Sequence, residues 1–271
     1  MSSLPNITGV RLGADPEVFI FTPLGEGEFI SSIGMIGGTK LEPRPLPKDG
    51  FYVQEDNVLL EFNIPPCDTV TGFVDALNYG LKACKELLPE FHGIRTQASA
   101  HFNEVQLNTP EANMFGCTPD KNAWTGKMNP PPDLPTDGLR TSGGHIHVGY
   151  LRPTKKLNQY IIRAMDFYLG VPSILMDRDT ERRKLYGKAG AYRDKVYGPE
   201  YRTLSSFWLG NDKKIVWAWE QTMRAVDHVN GMAAPKDDYI SAMQEDIVGI
   251  INTGDVRAAE ALCKKHDLAV V

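Results

Sequence analysis

Polar residues recur in pairs, two positions apart, inside apolar runs that are typical of β-strands. The pairs are Asp15 and Glu17 in GADPEVFIF, Glu61 and Asn63 in NVLLEFNI, His145 and His147 in GGHIHVGY, and Glu200 and Arg202 in GPEYRTLSSFW. Residues i and i+2 of a strand point to the same face. Each run therefore has its polar pair on one face and apolar residues, such as Val18, Leu60 and Ile146, on the other. We predict that these runs lie in one sheet, with an apolar face on the core and a polar face lining a site.

The rest of the pattern predicts helices, further strands and two loops. Helices are expected over residues 71–88, 156–170, 213–229, 237–251 and 255–266, and strands over 10–21, 58–64 and 95–106. Residues 41–50 and 128–138 are rich in proline and glycine, so we predict surface loops, either at the rim of a cleft or as plain connections. Strands with helices between and after them favour an α+β fold, with a mostly antiparallel sheet and helices on one face. We expect a single domain over residues 1–271, with 212–271 as a helical C-terminal extension packed on it.

Composition and charge are those of an ordinary globular protein, and they narrow the choice of partners. The chain has 271 residues, of which 42% are hydrophobic, and a net charge of −5. Nucleic acid is not expected as a partner, because binding to a phosphate backbone requires a basic surface. We find no apolar run near the roughly 20 residues that cross a bilayer and no signal peptide, so a cytoplasmic protein without membrane contact is expected. The cysteines are far apart and are expected to be reduced thiols rather than zinc ligands: Cys67, Cys84, Cys117 and Cys263.

Carboxylates inside apolar runs are the first indication of a metal site. Glu17 opens the run that ends at Phe21, and Glu61 lies within VLLEFNI, so both side chains need a partner to be tolerated there. Several carboxylates on one face repel each other unless a cation lies between them. Mg²⁺ or Mn²⁺ suits a set of ligands that is mostly carboxylate. The alternative is that these groups form salt bridges with arginines elsewhere in the chain.

The GGHIHVGY run contains the most specific motif in the sequence. His145 and His147 point the same way on a strand, so both can reach one ligand. Gly143 and Gly144 before them permit close approach of the backbone. Imidazole binds metal ions and also carries protons. The alternative is a pair of hydrogen-bonded structural histidines.

A basic segment precedes the last polar pair. Residues 177–200 are dense in charge and glycine, and we predict a loop that contacts a ligand, with Arg193 nearest the site. On the strand that follows, Glu200 can bind a metal ion and Arg202 can give planar donors to phosphate oxygens. The alternative for these two residues is a mutual ion pair at the surface.

Taken in order, GADPE, EDNVLLEFN, SGGHIHVGY and GPEYR resemble the carboxylate–amine ligases of the glutamine synthetase-like superfamily, above all the phage-type enzymes related to glutamate–cysteine ligases. The resemblance runs from about residue 13 to residue 208 and implies a curved antiparallel sheet whose concave face holds ATP and divalent ions. The metal ligands that it implies are Asp15 (where Glu is more usual), Glu17, Glu61, His145 and Glu200, with Glu55 as a neighbour of Glu61. The phosphate or substrate contacts that it implies are His147, Arg193 and Arg202.

The resemblance also implies a reaction. ATP would phosphorylate a carboxylate to an acyl phosphate, and an amine would then displace phosphate to give an amide, at a site holding Mg²⁺ or Mn²⁺. The partners expected are small-molecule or peptide carboxylates and amines, in the host cytoplasm if a phage encodes the protein. The sequence does not decide whether the protein forms a homo-oligomer. The alternatives are a guanidino-type ATP phosphotransferase and a non-catalytic nucleotide-binding protein on the same scaffold.

Overall fold

The computed structural model describes residues 6–24, 28–113, 120–133, 135, 137–234 and 238–271. The strands are β1 (Arg11–Ala14), β2 (Glu17–Thr22), β3 (Glu28–Ile30), β4 (Arg44–Pro45), β5 (Tyr52–Asp56), β6 (Leu59–Asn63), β7 (Gly93–Arg95), β8 (Ser99–His101), β9 (Lys121–Asn122), β10 (Leu139–Thr141), β11 (Ile146–Gly149), β12 (Ala191–Lys195) and β13 (Gly198–Tyr201). The helices are α1 (Val70–Leu87), α2 (Lys155–Met165), α3 (Val171–Met176), α4 (Glu181–Leu185), α5 (Asp212–Gly231), α6 (Tyr239–Ala242), α7 (Gln244–Thr253) and α8 (Val256–His266).

The polar-paired segments are divided between two antiparallel sheets, so the prediction of a single sheet is wrong. One sheet has the order β1-β11-β13-β12-β9, and the other has the order β3-β2-β6-β5-β4, with β7 also paired to β2. The predicted strand over 10–21 is split into β1 and β2 at Asp15 and Pro16. Proline has no N–H and cannot continue the hydrogen-bonded ladder, which explains why the strand breaks there.

Three backbone hydrogen bonds join the two sheets around this break. The Ile64 amide donates to the Ala14 carbonyl at 3.1 Å, and the Phe62 amide donates to the Pro16 carbonyl at 3.2 Å. On the other side, the Glu17 amide donates to the Gly143 carbonyl at 2.8 Å. Asp15 and Glu17 therefore lie at the junction of the sheets, and the polar faces of both sheets meet there.

The helices pack on the apolar side of these sheets. Helix α1 lies against β6 and β7, α2 lies against β12 and β13, and α5 crosses both α1 and α2. Val18, Leu60 and Ile146 are fully buried in the same core, as the alternation predicts. The prediction of an α+β fold with antiparallel strands and helices on the apolar face is confirmed at this level. None of the helices in the described residues is long and apolar enough to cross a membrane.

Four further predicted segments differ from the structure. The helix predicted over 237–251 is divided into α6 and α7, and residue 237 lies outside the described residues. The strand predicted over 95–106 is divided into β7, β8 and a 3₁₀ turn at Glu104–Leu107. The predicted ligand loop over 177–200 contains α4 and the β12–β13 hairpin, because its glycines make turns between short regular elements. The predicted loop over 41–50 contains the short strand β4. Part of the other loop, residues 134 and 136, lies outside the described residues, as does Cys117.

Candidate active site

Asp15, His147 and Glu200 form a first acidic group on the five-stranded sheet. His147 pairs with Gly13 on β1 and with Glu200 on β13, so these positions share a face. Because Gly13 has no side chain, Asp15, two residues further on, can reach the His147 ring, and Nε2 lies 3.0 Å from Asp15 Oδ1. One ligand atom from each of the three residues lies within 4.8 Å of the others. We call this set the histidine group.

Glu17, Asp56 and Glu61 form a second acidic group on the six-stranded sheet. Glu17 on β2 pairs directly with Glu61 on β6, and the three residues again offer oxygens within 4.8 Å of one another. Gln54 Nε2 donates to Glu61 Oε2 at 2.9 Å, and Lys40 Nζ lies 2.9 Å from Asp56 Oδ2. We call this set the glutamate group.

Asp56 was not among the sequence candidates, whereas its neighbour Glu55 was. Because side chains alternate along β5, Gln54 and Asp56 share the site face and Glu55 points away from it. Glu55 instead accepts hydrogen bonds from the amides of Gly34, Ile36 and Gly37 at 2.8–3.0 Å. The signal in the sequence was the pair Gln54 and Asp56, which has the same i, i+2 spacing as the others.

His145 lies between the two groups. Its Nδ1 is 3.2 Å from Asp15 Oδ1 and 3.9 Å from Glu200 Oε1. Its near neighbour Gly143 donates its amide to Glu17 Oε2 at 2.6 Å. A Cβ atom at Gly143 would overlap the His145 ring, and one at Gly144 would overlap the Ser205 carbonyl. The predicted role of these glycines in close backbone approach is therefore confirmed.

Arg202 and Arg193 lie beside the histidine group. Arg202 donates to Glu200 Oε1, and its Nε is 2.8 Å from Asp120 Oδ1. Arg193 Nε is 3.4 Å from the same Asp120 oxygen. Lys195 Nζ lies 2.8 Å from Glu200 Oε2. Glu200 and Arg202 do pair with each other, but both are buried, so the alternative of a surface ion pair is wrong.

Two further residues support the site and were not identified from the sequence. Tyr197 lies at the turn of the β12–β13 hairpin, where its Oη is 2.5 Å from His147 Nδ1 and its ring stacks on the imidazole. Arg182 is buried and donates to the carbonyls of Ser142, Thr203 and Arg202 at 2.6, 2.6 and 3.1 Å. It thereby joins the backbone before His145 to the backbone after Arg202. Both roles depend on contacts between distant segments, which local patterns do not reveal.

The charges around the histidine group favour ionised carboxylates. Burial would raise the pKa of Asp15, but the positive charge of His147 and hydrogen bonds from both histidines outweigh it and hold that pKa well below its usual range. Burial and Asp15 would also raise the pKa of Glu200, yet Arg202 and the histidines lower it to about 2. Burial would lower the pKa of His147, but Asp15 and Glu200 raise it overall.

In the glutamate group, by contrast, the pKa values of two of the three carboxyl groups are raised. Burial and the neighbouring carboxylates Asp15, Asp56 and Glu17 raise the pKa of Glu61 well above its usual value. Burial also raises the pKa of Glu17. For Asp56, burial is outweighed by Lys40, and the pKa falls. Glu17 and Glu61 therefore resist ionisation in the absence of a cation.

A cavity of about 100 Å³ opens beside the glutamate group. Its lining combines acidic, basic and imidazole side chains: Glu17, Lys40, Asp56, Asn57, Leu59, Asp120, Arg140, Thr141, Gly143, His145, Arg182, Tyr186 and Arg202. Such a cavity, with charged groups of both signs converging, has the form of a binding site for a polar, charged ligand.

Residues 134–230 match the family model described as Phage phiEco32-like COOH.NH2 ligase-type 2. The match supports a phage-type carboxylate–amine ligase. It confirms the predicted resemblance, and with it the prediction of an amidoligase that forms C–N bonds. Of the candidate site residues, the matched segment contains His145, His147, Arg193, Glu200 and Arg202. No curated protein matches the chain.

Proposed function

We propose that the protein is an ATP-dependent carboxylate–amine ligase, which activates a carboxylate as its acyl phosphate and transfers it to an amine. One observation carries this proposal. The histidine group and the glutamate group each have side chains placed to hold a metal ion, and Arg193 and Arg202 lie next to Glu200 of the histidine group. Small-molecule or peptide carboxylates and amines are the substrates that we propose.

The residues present fit divalent metal ions. Asp15, His147 and Glu200 would hold one ion, and Glu17, Asp56 and Glu61 would hold another; oxygen-rich sets of this kind suit Mg²⁺ or Mn²⁺. The raised pKa of Glu61, which arises from burial and from three neighbouring carboxylates, supports the need for a cation there. When bound, such ions would neutralise charge on phosphate oxygens.

This proposal exchanges the roles that the resemblance implied for the two histidines. His147, implied as a phosphate or substrate contact, lies with Asp15 and Glu200 in the histidine group. His145, implied as a metal ligand, lines the first cavity. Its Nδ1 lies 3.2 Å from Nη1 of Arg202, one of the two arginines assigned to phosphate. We therefore propose His147 as the ligand and His145 as the residue that faces phosphate or substrate.

Arg193 and Arg202 would serve the phosphoryl transfer. Both contact Asp120 and Glu200, which keeps the buried guanidinium group of Arg202 and the partly buried one of Arg193 in position. A phosphate oxygen can replace a carboxylate as the partner of a planar guanidinium. In the reaction, a carboxylate oxygen of the substrate attacks the γ-phosphorus and ADP leaves. The arginines would stabilise the negative charge that develops on the transferred group.

Product analysis by mass spectrometry tests the proposal. The protein is incubated with ATP, Mg²⁺ and pools of carboxylic acids and amines, and in parallel with the acids and hydroxylamine, which traps acyl phosphates as hydroxamates. We expect ADP, phosphate and a product whose mass is that of acid plus amine less water. A phosphorylated guanidine without any amide, or bound ATP that is never cleaved, would reject the ligase.

A further inference from the structure

A second, larger cavity lies next to the first. It has a volume of about 420 Å³, within the range of small-molecule sites, and it shares Asp120 and Tyr186 with the first cavity. Its other lining residues come from the proline-rich segment, from the end of α4 and the loop after it, and from β12: Asn129, Pro130, Pro131, Pro132, Asp133, Lys184, Leu185, Gly187, Lys188 and Ala191.

Asp120 connects this cavity to the reacting groups. Its Oδ1 lies 2.8 Å from Arg202 Nε and 3.4 Å from Arg193 Nε, the guanidinium groups assigned above to the transferred phosphate. A compound in the second cavity that contacts Asp120 would therefore lie beside the acyl phosphate. A carboxylate in this position accepts hydrogen bonds from an amine.

Lys188 provides a charge of opposite sign in the same cavity. Lys184 is engaged by Glu181 at 2.6 Å, whereas Lys188 makes no ion pair with any residue in the described part of the chain. Its backbone is held firmly, because its carbonyl accepts hydrogen bonds from the Thr203 hydroxyl and the Ala191 amide, both at 3.1 Å. A half-buried ammonium group without a carboxylate partner favours an anionic ligand.

Part of the cavity lining is stiff and apolar. Pro130, Pro131 and Pro132 have fixed φ angles, so their surface loses little conformational freedom when a ligand binds. Leu185 also lines this cavity. The cavity thus combines the carboxylates of Asp120 and Asp133, the lysines Lys184 and Lys188, and an apolar surface.

We propose that this cavity binds a free amino acid as the amine substrate, with its carboxylate on Lys188 and its amino group at Asp120. This inference rests on the proposed ligase function. In the second step, the amine nitrogen attacks the carbonyl carbon of the acyl phosphate, the C–N bond forms and the C–O bond to phosphate breaks. The phosphate leaves with that electron pair and takes up the proton that the nitrogen loses, so the products are an amide and hydrogen phosphate.

Calorimetry with each of the twenty L-amino acids tests the proposal, with and without Mg²⁺ and a non-hydrolysable ATP analogue. We expect at least one to bind, and Lys188→Gln to weaken that binding by about 10-fold or more, since a charged hydrogen bond is lost. Lys188→Arg should restore most of the affinity. Lys213→Gln, an exposed lysine on α5, is the matched control and should bind as the unaltered protein does. The amine that corresponds to this amino acid without its carboxylate should bind weakly, with the same affinity for the unaltered protein and for Lys188→Gln.

The inference is overturned if none of the twenty binds, or if Lys188→Gln binds as the Lys213→Gln control does. It is also overturned if Lys188→Gln loses affinity for the ATP analogue and keeps its affinity for the amino acid, since the cavity would then hold the nucleotide. The hydroxylamine reaction separates this inference from the ligase itself. Hydroxamate formed without amino-acid binding rejects only the inference, whereas amino-acid binding at Lys188 without any hydroxamate rejects only the ligase.

Discussion

Asp15 of the histidine group and Glu17 of the glutamate group flank Pro16 in the chain, and the two groups differ in the charges around them. Asp15 and Glu200 in the histidine group are close to His147, Arg202 and Lys195, and their pKa values are lowered. In the glutamate group, the pKa values of Glu17 and Glu61 are raised by burial, and for Glu61 also by neighbouring carboxylates.

The difference shows two ways of keeping carboxylates inside a protein. The carboxylates of the histidine group are compensated by the protein's own cations, His147, Arg202 and Lys195. The glutamate group contains three carboxylates, of which Asp56 pairs with Lys40, and the pKa of Glu61 is raised, so this group depends more on an external cation. Because Glu61 must lose its proton to bind a metal ion, metal affinity at this group should rise with pH until the raised pKa of Glu61 is passed.

The largest expected effect comes from removing divalent ions. Treatment with EDTA should abolish ATP turnover, and added Mg²⁺ or Mn²⁺ should restore it, because the ions would act as Lewis acids on the phosphate oxygens, which the arginines cannot do. Turnover is measured as ADP release, with the melting temperature followed in the same samples. Undiminished turnover in EDTA would show that neither acidic group serves as a metal site.

The second effect concerns Arg202, which supplies positive charge to the histidine group. Arg202→Lys keeps the charge but loses the planar contact, so turnover should fall on the order of 100-fold, with a much smaller change in ATP affinity. Arg182→Lys is the matched control. Because Arg182 donates hydrogen bonds to three backbone carbonyls, this variant should mainly lower the melting temperature. Near-normal turnover with a lowered melting temperature for Arg202→Lys would make Arg202 a structural partner of Glu200.

The third effect is a change in stability, which we expect when one carboxylate from each group is replaced in the metal-free protein. The pKa of Glu200 falls from 4.5 to about 2 on folding, so its ionised form stabilises the protein above pH 4.5, and that stability is lost as the pH falls towards 2. Glu200→Gln should therefore lower the free energy of unfolding at pH 7 by about 3 kcal/mol, at 1.36 kcal/mol per pKa unit.

The contribution of Glu61 to stability changes with pH in the opposite direction. Because its pKa is raised on folding, its contribution is fully present below its unfolded pKa and is lost as the pH rises through the folded value. Glu61→Gln, which keeps an acceptor for Gln54, should leave stability unchanged at pH 4 and raise it at pH 8. Urea unfolding of both variants in EDTA measures the difference. If both variants shift stability in the same direction at pH 8, the two groups do not differ as described.

The smallest effect concerns the hydrogen bond between Tyr197 and His147. When His147 Nδ1 donates to Tyr197 Oη, Nε2 is available to a metal ion on the side of Asp15. Tyr197→Phe keeps the stacked ring but removes the oxygen, and Mn²⁺ affinity should fall by about 10-fold. Electron paramagnetic resonance of Mn²⁺ measures this, with Tyr52→Phe, a half-exposed tyrosine on β5, as the control. Equal affinity in the two variants would remove Tyr197 from the metal site.

Local spacing along the chain was enough to predict which side of each strand packs on the core. Because side chains alternate along any strand, the spacing of Glu17, His147 and Glu200 within apolar runs was enough to predict that these residues share the polar faces of their strands, and Leu60 and Ile146 were correctly predicted to be buried. Helix α1 was also predictable, because its apolar residues recur at helical spacing.

The grouping of these residues depends on contacts that form only in the folded protein. The assignment of Asp15 to the histidine group and of Glu17 to the glutamate group follows from the break at Pro16, which gives the two carboxylates different neighbouring strands. The positions of Asp56, Asp120 and Arg182 depend on contacts with residues far away in the chain. Local periodicity reports the direction of a side chain relative to its own strand, whereas strand pairing and charge balance are set by segments that meet only in the folded protein.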